Sequence, residues 1–178
     1  MARIRLENGA EIAGAIEAAA VLAPLGVRFE PLPPGADPDA RDLLARPLLD
    51  AEEKERLLGL LDPAIAHIAG PEGLRTRDLV VLDASLPGLD AALAPFARCH
   101  RHDDHETRWI VDGEGTFGFV LPDGGQMAVT IEAGEFIQVP AGVEHWFVLT
   151  PLRRIKAVRH FTDKAGWVPR YSGTPVRL

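Results

Sequence analysis

Apolar residues recur at spacings of three and four in two stretches near the N-terminus, and in short runs broken by turn residues from residue 78 onward. Over residues 10–22, Ile12, Ile16, Ala19 and Ala20 form one helical stripe that Leu25-Gly26 closes, so the spacing predicts a short helix. Residues 31–38 carry Pro31, Pro33, Pro34 and Pro38, which remove backbone donors and fix φ, and this predicts a surface connection. Asp50 followed by Glu53 reads as a capping box, with Leu57, Leu58 and Leu61 as the apolar face of a helix over 51–61. The later runs, at 79–82, 108–111, 116–121, 127–131, 136–139, 146–149 and 155–158, read as strands. Asp112-Gly113, Pro122 to Gly125, Ala133-Gly134 and Pro140-Ala141-Gly142 punctuate them at the rhythm of an antiparallel sandwich or barrel. The expected architecture is a single, mainly β domain over 1–178, in which residues 1–75 form a mostly helical layer packed on a barrel formed by 76–178.

Composition narrows the function classes. The 178 residues are 47% hydrophobic and 25% charged, the balance of an ordinary folded domain, so disorder of the whole chain is excluded. A net charge of −7 without any Lys/Arg run argues against a nucleic-acid partner. Glu7, Glu11, Glu17 and Pro24 interrupt the one Ala-rich stretch, which suits neither a secretory segment nor a spanning helix. With Cys99 as the only cysteine, no disulfide can close within the chain, and the cytoplasm is the expected compartment. Rossmann and P-loop readings fail for want of their glycine signatures.

The chemistry concentrates in Cys99-His100-Arg101-His102-Asp103-Asp104-His105-Glu106 and in Pro140-Ala141-Gly142-Val143-Glu144-His145. Side chains alternate along a strand, so His100 and His102 share a face and can offer two imidazole nitrogens to one ion. A turn at Asp103-Asp104 would bring Glu106 back beside them, and His145 would arrive from a distant strand behind the rigid Pro140-Ala141-Gly142 turn. Nitrogen and oxygen donors without thiolate suit iron, nickel, manganese or cobalt better than structural zinc. Cys99 reads as a small buried hydrophobe, and His67 and His160 as surface or packing residues. Arg108, two positions after Glu106, shares its face and could support negative charge on a substrate or form a buried ion pair.

His100-x-His102-xxx-Glu106 with Gly113, followed by Gly134 and Pro140-x-Gly142-xx-His145, resembles the cupin superfamily, with Ala94 and Leu149 standing where glycine and asparagine are common. Within it the chain resembles the acireductone dioxygenase family. The likeness rests on Leu25 to Glu30, Phe96, the His100 to Arg108 block, Ile110 to Phe117, Val139 to Gly142, His145-Trp146-Phe147, Arg159, Phe161, Gly166, Trp167 and Tyr171. His105 and Cys99 depart from the acidic residues usual there. The resemblance implies a cupin-type double-stranded β-barrel (jelly roll) that binds one Fe²⁺ or Ni²⁺ per chain through His100, His102, Glu106 and His145. It further implies O₂ and the acireductone 1,2-dihydroxy-3-keto-5-methylthiopentene as substrates. Iron would direct cleavage to formate and 4-methylthio-2-oxobutanoate; nickel would direct it to methylthiopropionate, formate and CO. Arg108 would stabilise the anionic substrate, with Phe96, Phe147, Trp167 and Arg159 around its tail. No nucleic acid or membrane is expected as a partner, and a monomer is the expected state. The same barrel would also suit a non-catalytic ligand-sensing cupin or a cupin dioxygenase for another chelating substrate.

Overall fold

Alternation of apolar residues on both faces of the later strands sets the layering. The computed structural model describes residues 1–68, 76–161 and 168–178, and of residues 65–68, 76 and 161 the backbone alone. The elements are β1 (Arg3–Leu6), β2 (Glu11–Ala13), α1 (Ala15–Leu22), β3 (Arg28–Pro31), α2 (Pro38–Ala45), α3 (Ala51–Ile68), β4 (Thr76–Asp83) and α4 (Leu89–Leu93). They continue as β5 (His100–Arg101), β6 (Glu106–Val120), β7 (Gln126–Glu132), β8 (Glu135–Val139), β9 (His145–Leu149), β10 (Arg154–Phe161) and β11 (Arg170–Tyr171). One antiparallel sheet runs β11-β5-β9-β6-β7-β1-β2. A second runs β4-β10-β6-β8-β3. The two faces of β6 residues divide accordingly: Ile110, Phe117 and Phe119 enter the core between the sheets with Val129, Ile137 and Ile155. Trp109 and Val111 instead face Leu57, Leu58 and Leu61 of α3 across the outer side of the second sheet.

The long strand β6 belongs to both sheets. Its residues Glu106–Ile110 pair with β8, and its residues Gly115–Phe119 with β9. Between them, Lys156 opposes Asp112 while Ala157 opposes Ile110, so Val111 is an inserted residue, a β-bulge that turns the strand from one sheet into the other. Gly113 follows with φ of 74°, and a Cβ there would lie 2.1 Å from the Arg154 carbonyl oxygen. The turn expected at Asp112-Gly113 is therefore a bend within one strand, and the runs at 108–111 and 116–121 are its two ends.

Other expectations shift for local reasons. Residues 11–13 are a strand, not the start of a helix, because Asn8-Gly9 makes a hairpin turn that pairs Ile12 with Ile4. In the proline-rich stretch Pro31 ends β3. Asp37 caps α2, accepting from the Ala40 amide at 3.0 Å, with Pro38 in the first helical turn, where its missing donor costs nothing. The Asp50–Glu53 capping box forms in both directions, at 2.9 and 3.0 Å. Helix α3 then runs past residue 61 and through Pro63. The described residues 1–68 thus supply three strands to the sheets as well as the helices α1, α2 and α3.

A buried polar knot fastens this helical layer at the bulge. Lys156, fully buried, donates to Asp112 at 2.7 Å and to the Leu44 carbonyl at 2.8 Å, while Arg154 donates to the same two groups. Both cations thereby serve the last carbonyls of α2. Burial pushes the Lys156 ammonium below its ordinary range, and Asp112 opposes that shift.

Gly118 of β6 faces Trp146 of β9, and a Cβ at Gly118 would fall 1.8 Å from the indole ring. Gly118→Ala is expected to lower the unfolding free energy by about 1–3 kcal/mol, read as a lower urea midpoint at unchanged slope.

Candidate metal centre

The ends of three strands bring the chemistry together. His100 opens β5, Glu106 opens β6 and His145 opens β9, and His100 stands directly opposite His145 in the β5–β9 pairing. The chain turns at Asp103-Asp104, and the Gly142 amide of the Pro140-Ala141-Gly142 turn donates to the His102 carbonyl at 2.9 Å. That bond ties the two loops bearing the ligand candidates to one another. The imidazole centroids of His100, His102 and His145 lie 4.5–5.4 Å apart. One donor atom from each of His100, His102, Glu106 and His145 falls within 4.8 Å of all the others, and all four residues are buried.

The hydrogen bonds fix which nitrogens face inward. Nδ1 of His100 lies 2.7 Å from the Arg98 carbonyl and Nδ1 of His145 lies 2.9 Å from the Val143 carbonyl. A carbonyl oxygen only accepts, so both Nδ1 atoms carry a proton and each ring turns its Nε2 toward the cluster. Glu106 Oε2 is 2.9 Å from His145 Nε2 and 3.2 Å from His102 Nε2. A carboxylate oxygen and imidazole nitrogens gathered at this separation fit a divalent metal held by three nitrogens and one oxygen.

The electrostatics agree with that donor set. Burial pushes the His100 imidazole down to about 4, so the ring is neutral at ordinary pH. Burial works to raise Glu106, but the Arg108 guanidinium, followed by His102 and His145, holds its carboxyl well below the usual range. Arg108 reaches Glu106 Oε1 at 2.7 Å and donates to the Thr107 carbonyl at 2.9 Å. Burial lowers its guanidinium to about 10, against the opposing pull of Glu106, so it remains a cation. The buried ion pair weighed for Arg108 is thus formed, with Glu106 as its partner. Cys99 is buried, and its thiol is pushed up by desolvation, so it stays protonated.

A cavity of about 170 Å³ adjoins this cluster, with His100, Glu106 and Arg108 on its wall. Phe96 and Phe147 line it too, held across from one another by the Phe147 amide bonding to the Phe96 carbonyl at 2.8 Å. Arg159 is on the same wall, gripped by Asp78 at 2.7 and 2.5 Å. Trp167 and the side chain of His67 lie outside the described residues. His160 is buried and its imidazole is pushed down by desolvation; it alternates to the opposite face of β10 from Arg159. The sequence reading missed Val80, Leu82, Ile110, Phe117, Ile155 and Ala157 in the lining. A period of two was the available signal, since Glu106, Arg108 and Ile110 share one face of β6, as do Ile155, Ala157 and Arg159 on β10.

Comparison with known proteins follows this geometry. The ARD/ARD' family matches residues 44–169. The chain is 46% identical to the acireductone dioxygenase of Microcystis aeruginosa over all of its own 178 residues and 97% of that protein. It is 37% identical to that of Trichodesmium erythraeum (strain IMS101), again over the whole chain and 98% of the relative. Among solved structures it is similar to the acireductone dioxygenase from Bacillus anthracis with a cadmium ion in its active centre. The TM-score is 0.85 at 32% identity, covering 96% of this chain and 98% of that one.

A pH dependence follows for the metal-free protein. His100 takes up a proton near pH 4 when folded but near 6.5 when unfolded, so between these values the unfolded chain binds more protons and stability falls as pH falls. Glu106, held low, adds a loss at still lower pH. Urea titrations at stepped pH are expected to show stability declining from about pH 6.5 to 4, and His100→Gln is expected to flatten that slope by up to about 1.4 kcal/mol per pH unit.

Proposed function

The chain belongs to the ARD/ARD' family, and from that premise we propose that it is a metal-dependent acireductone dioxygenase acting on 1,2-dihydroxy-3-keto-5-methylthiopentene and O₂. The carrying observation is the convergence of His100, His102, Glu106 and His145 at a largely apolar cavity that also holds a cation. These four residues would hold one Fe²⁺ or Ni²⁺. Held there, such an ion would supply Lewis-acid polarisation of the enediolate. With iron the products are formate and 4-methylthio-2-oxobutanoate, and with nickel methylthiopropionate, formate and CO.

The protein's own groups do the rest. Arg108 occupies Glu106 Oε1 and so leaves Oε2 turned toward His102 and His145, which orients the carboxylate as a ligand through one oxygen. The same guanidinium lies on the cavity wall, where it offsets negative charge on the bound substrate. Phe96, Phe147 and the aliphatic lining exclude water and receive the methylthioethyl tail. Arg159, oriented by Asp78, places a second cation on that wall. No helix among the described residues is long and apolar enough to cross a membrane. A cytoplasmic monomer with small-molecule partners alone accords with the single cysteine and the absence of a basic run.

The test is anaerobic mixing of iron-loaded protein with acireductone, followed by O₂ and product analysis. Formation of the keto acid well above the uncatalysed rate is expected; no gain in rate would leave a ligand-binding cupin. Arg108→Ala, compared at full metal occupancy by elemental analysis, is expected to lose about 10²–10³-fold in kcat/KM. Wild-type turnover at full occupancy would leave Arg108 only its support of Glu106.

A further inference from the structure

His100 stands on a strand with little pairing of its own, whereas β9, which begins at His145, is paired along its length with β6. β5 and β11 are two residues each, and His100 is held by one register pair with His145 and one with Tyr171. Ladders this short do not fix a register unaided. Beside them lies a polar knot. The Glu144 carboxylate, only 9% exposed, accepts from Arg101 Nη2 at 2.7 Å and from Ser172 Oγ at 2.5 Å. The Ser172 amide also donates to the Cys99 carbonyl at 3.2 Å.

Each member of the knot adjoins the metal centre along the chain. Glu144 precedes His145, Arg101 stands between His100 and His102, and Ser172 follows Tyr171, the cross-strand neighbour of His100. We infer that Glu144 is a positioning residue: by binding Arg101 and Ser172 at once it locks β5, β9 and β11 in register, and so makes the three imidazoles converge tightly enough to hold the ion. The inference rests on the reading of His100, His102, Glu106 and His145 as ligands. It adds a residue that touches neither metal nor substrate and whose loss would be felt in metal affinity.

The test is titration of the metal-free protein with Co²⁺ against a chromophoric chelator, together with the Co²⁺ absorption spectrum, which reports ligand geometry. Glu144→Ala is expected to raise the Co²⁺ Kd about 10–100-fold and to shift the visible bands. Glu144→Gln, whose single amide oxygen can accept from Arg101 or from Ser172 and so keeps one of the two bonds, is expected to fall between. Ser172→Ala should raise Kd in the same direction by less. Arg77→Ala, which breaks the exposed ion pair with Asp62, should change neither readout. Should Glu144→Ala fail to fold, Ser172→Ala decides, and a wild-type Kd and spectrum in it overturns the inference. If His102→Ala binds Co²⁺ as wild type does, the ligand reading falls. If His102→Ala loses the ion while Glu144→Ala keeps wild-type affinity and spectrum, only the clamp falls.

Discussion

A buried carboxylate must be matched by positive charge, and Glu106 is the group on which the site depends. Stripping a carboxylate of water costs several kcal/mol unless its oxygens are otherwise engaged. One oxygen meets Arg108 and the other faces the Nε2 atoms of His102 and His145. The permanent cation keeps the carboxylate ionised, and the second oxygen is thereby committed to whatever positive charge the histidines help to hold. Metal binding and substrate-facing charge are thus coupled through one residue pair two positions apart on a strand.

That coupling works because of where β6 goes. Its first residues belong to the second sheet and its last to the first, so a single strand carries Glu106 and Arg108 to the cavity and Phe117 to the opposite wall. The bulge at Val111 and the open backbone of Gly113 permit the crossing. The Lys156–Asp112–Arg154 knot then pins α2 against the bend, and α3 seals the outer face through Trp109. Stability of the helical layer and shape of the site therefore share one structural joint.

The polar groups divide between two tasks. Inside the barrel they are few and aimed at the donor cluster; at its rim, Glu144, Arg101 and Ser172 tie the two-residue strands β5 and β11 to the start of β9. Family membership accords with this division, since the solved relative with cadmium in its active centre has the same overall fold.

The sequence by itself determined what is local or periodic. The Asp50–Glu53 cap, the alternating strands and the His-x-His, Glu and Pro-x-Gly-xx-His elements could all be read from spacing, because caps, pleats and tight turns are decided within a few residues. Asn8-Gly9 and Asp37-Pro38 carried equally local signals for a hairpin and a helix start, overlooked because an Ala-rich stripe and a proline run masked them. The tertiary structure alone decided that Asp112-Gly113 bends a strand instead of ending it, that β1 to β3 join the sheets, and that Val80, Leu82 and Phe117 line the cavity. It also decided that His145 stands opposite His100. Such facts depend on which strands become neighbours and at what register, and that is settled by the packing of residues far apart in the chain, which no local spacing encodes.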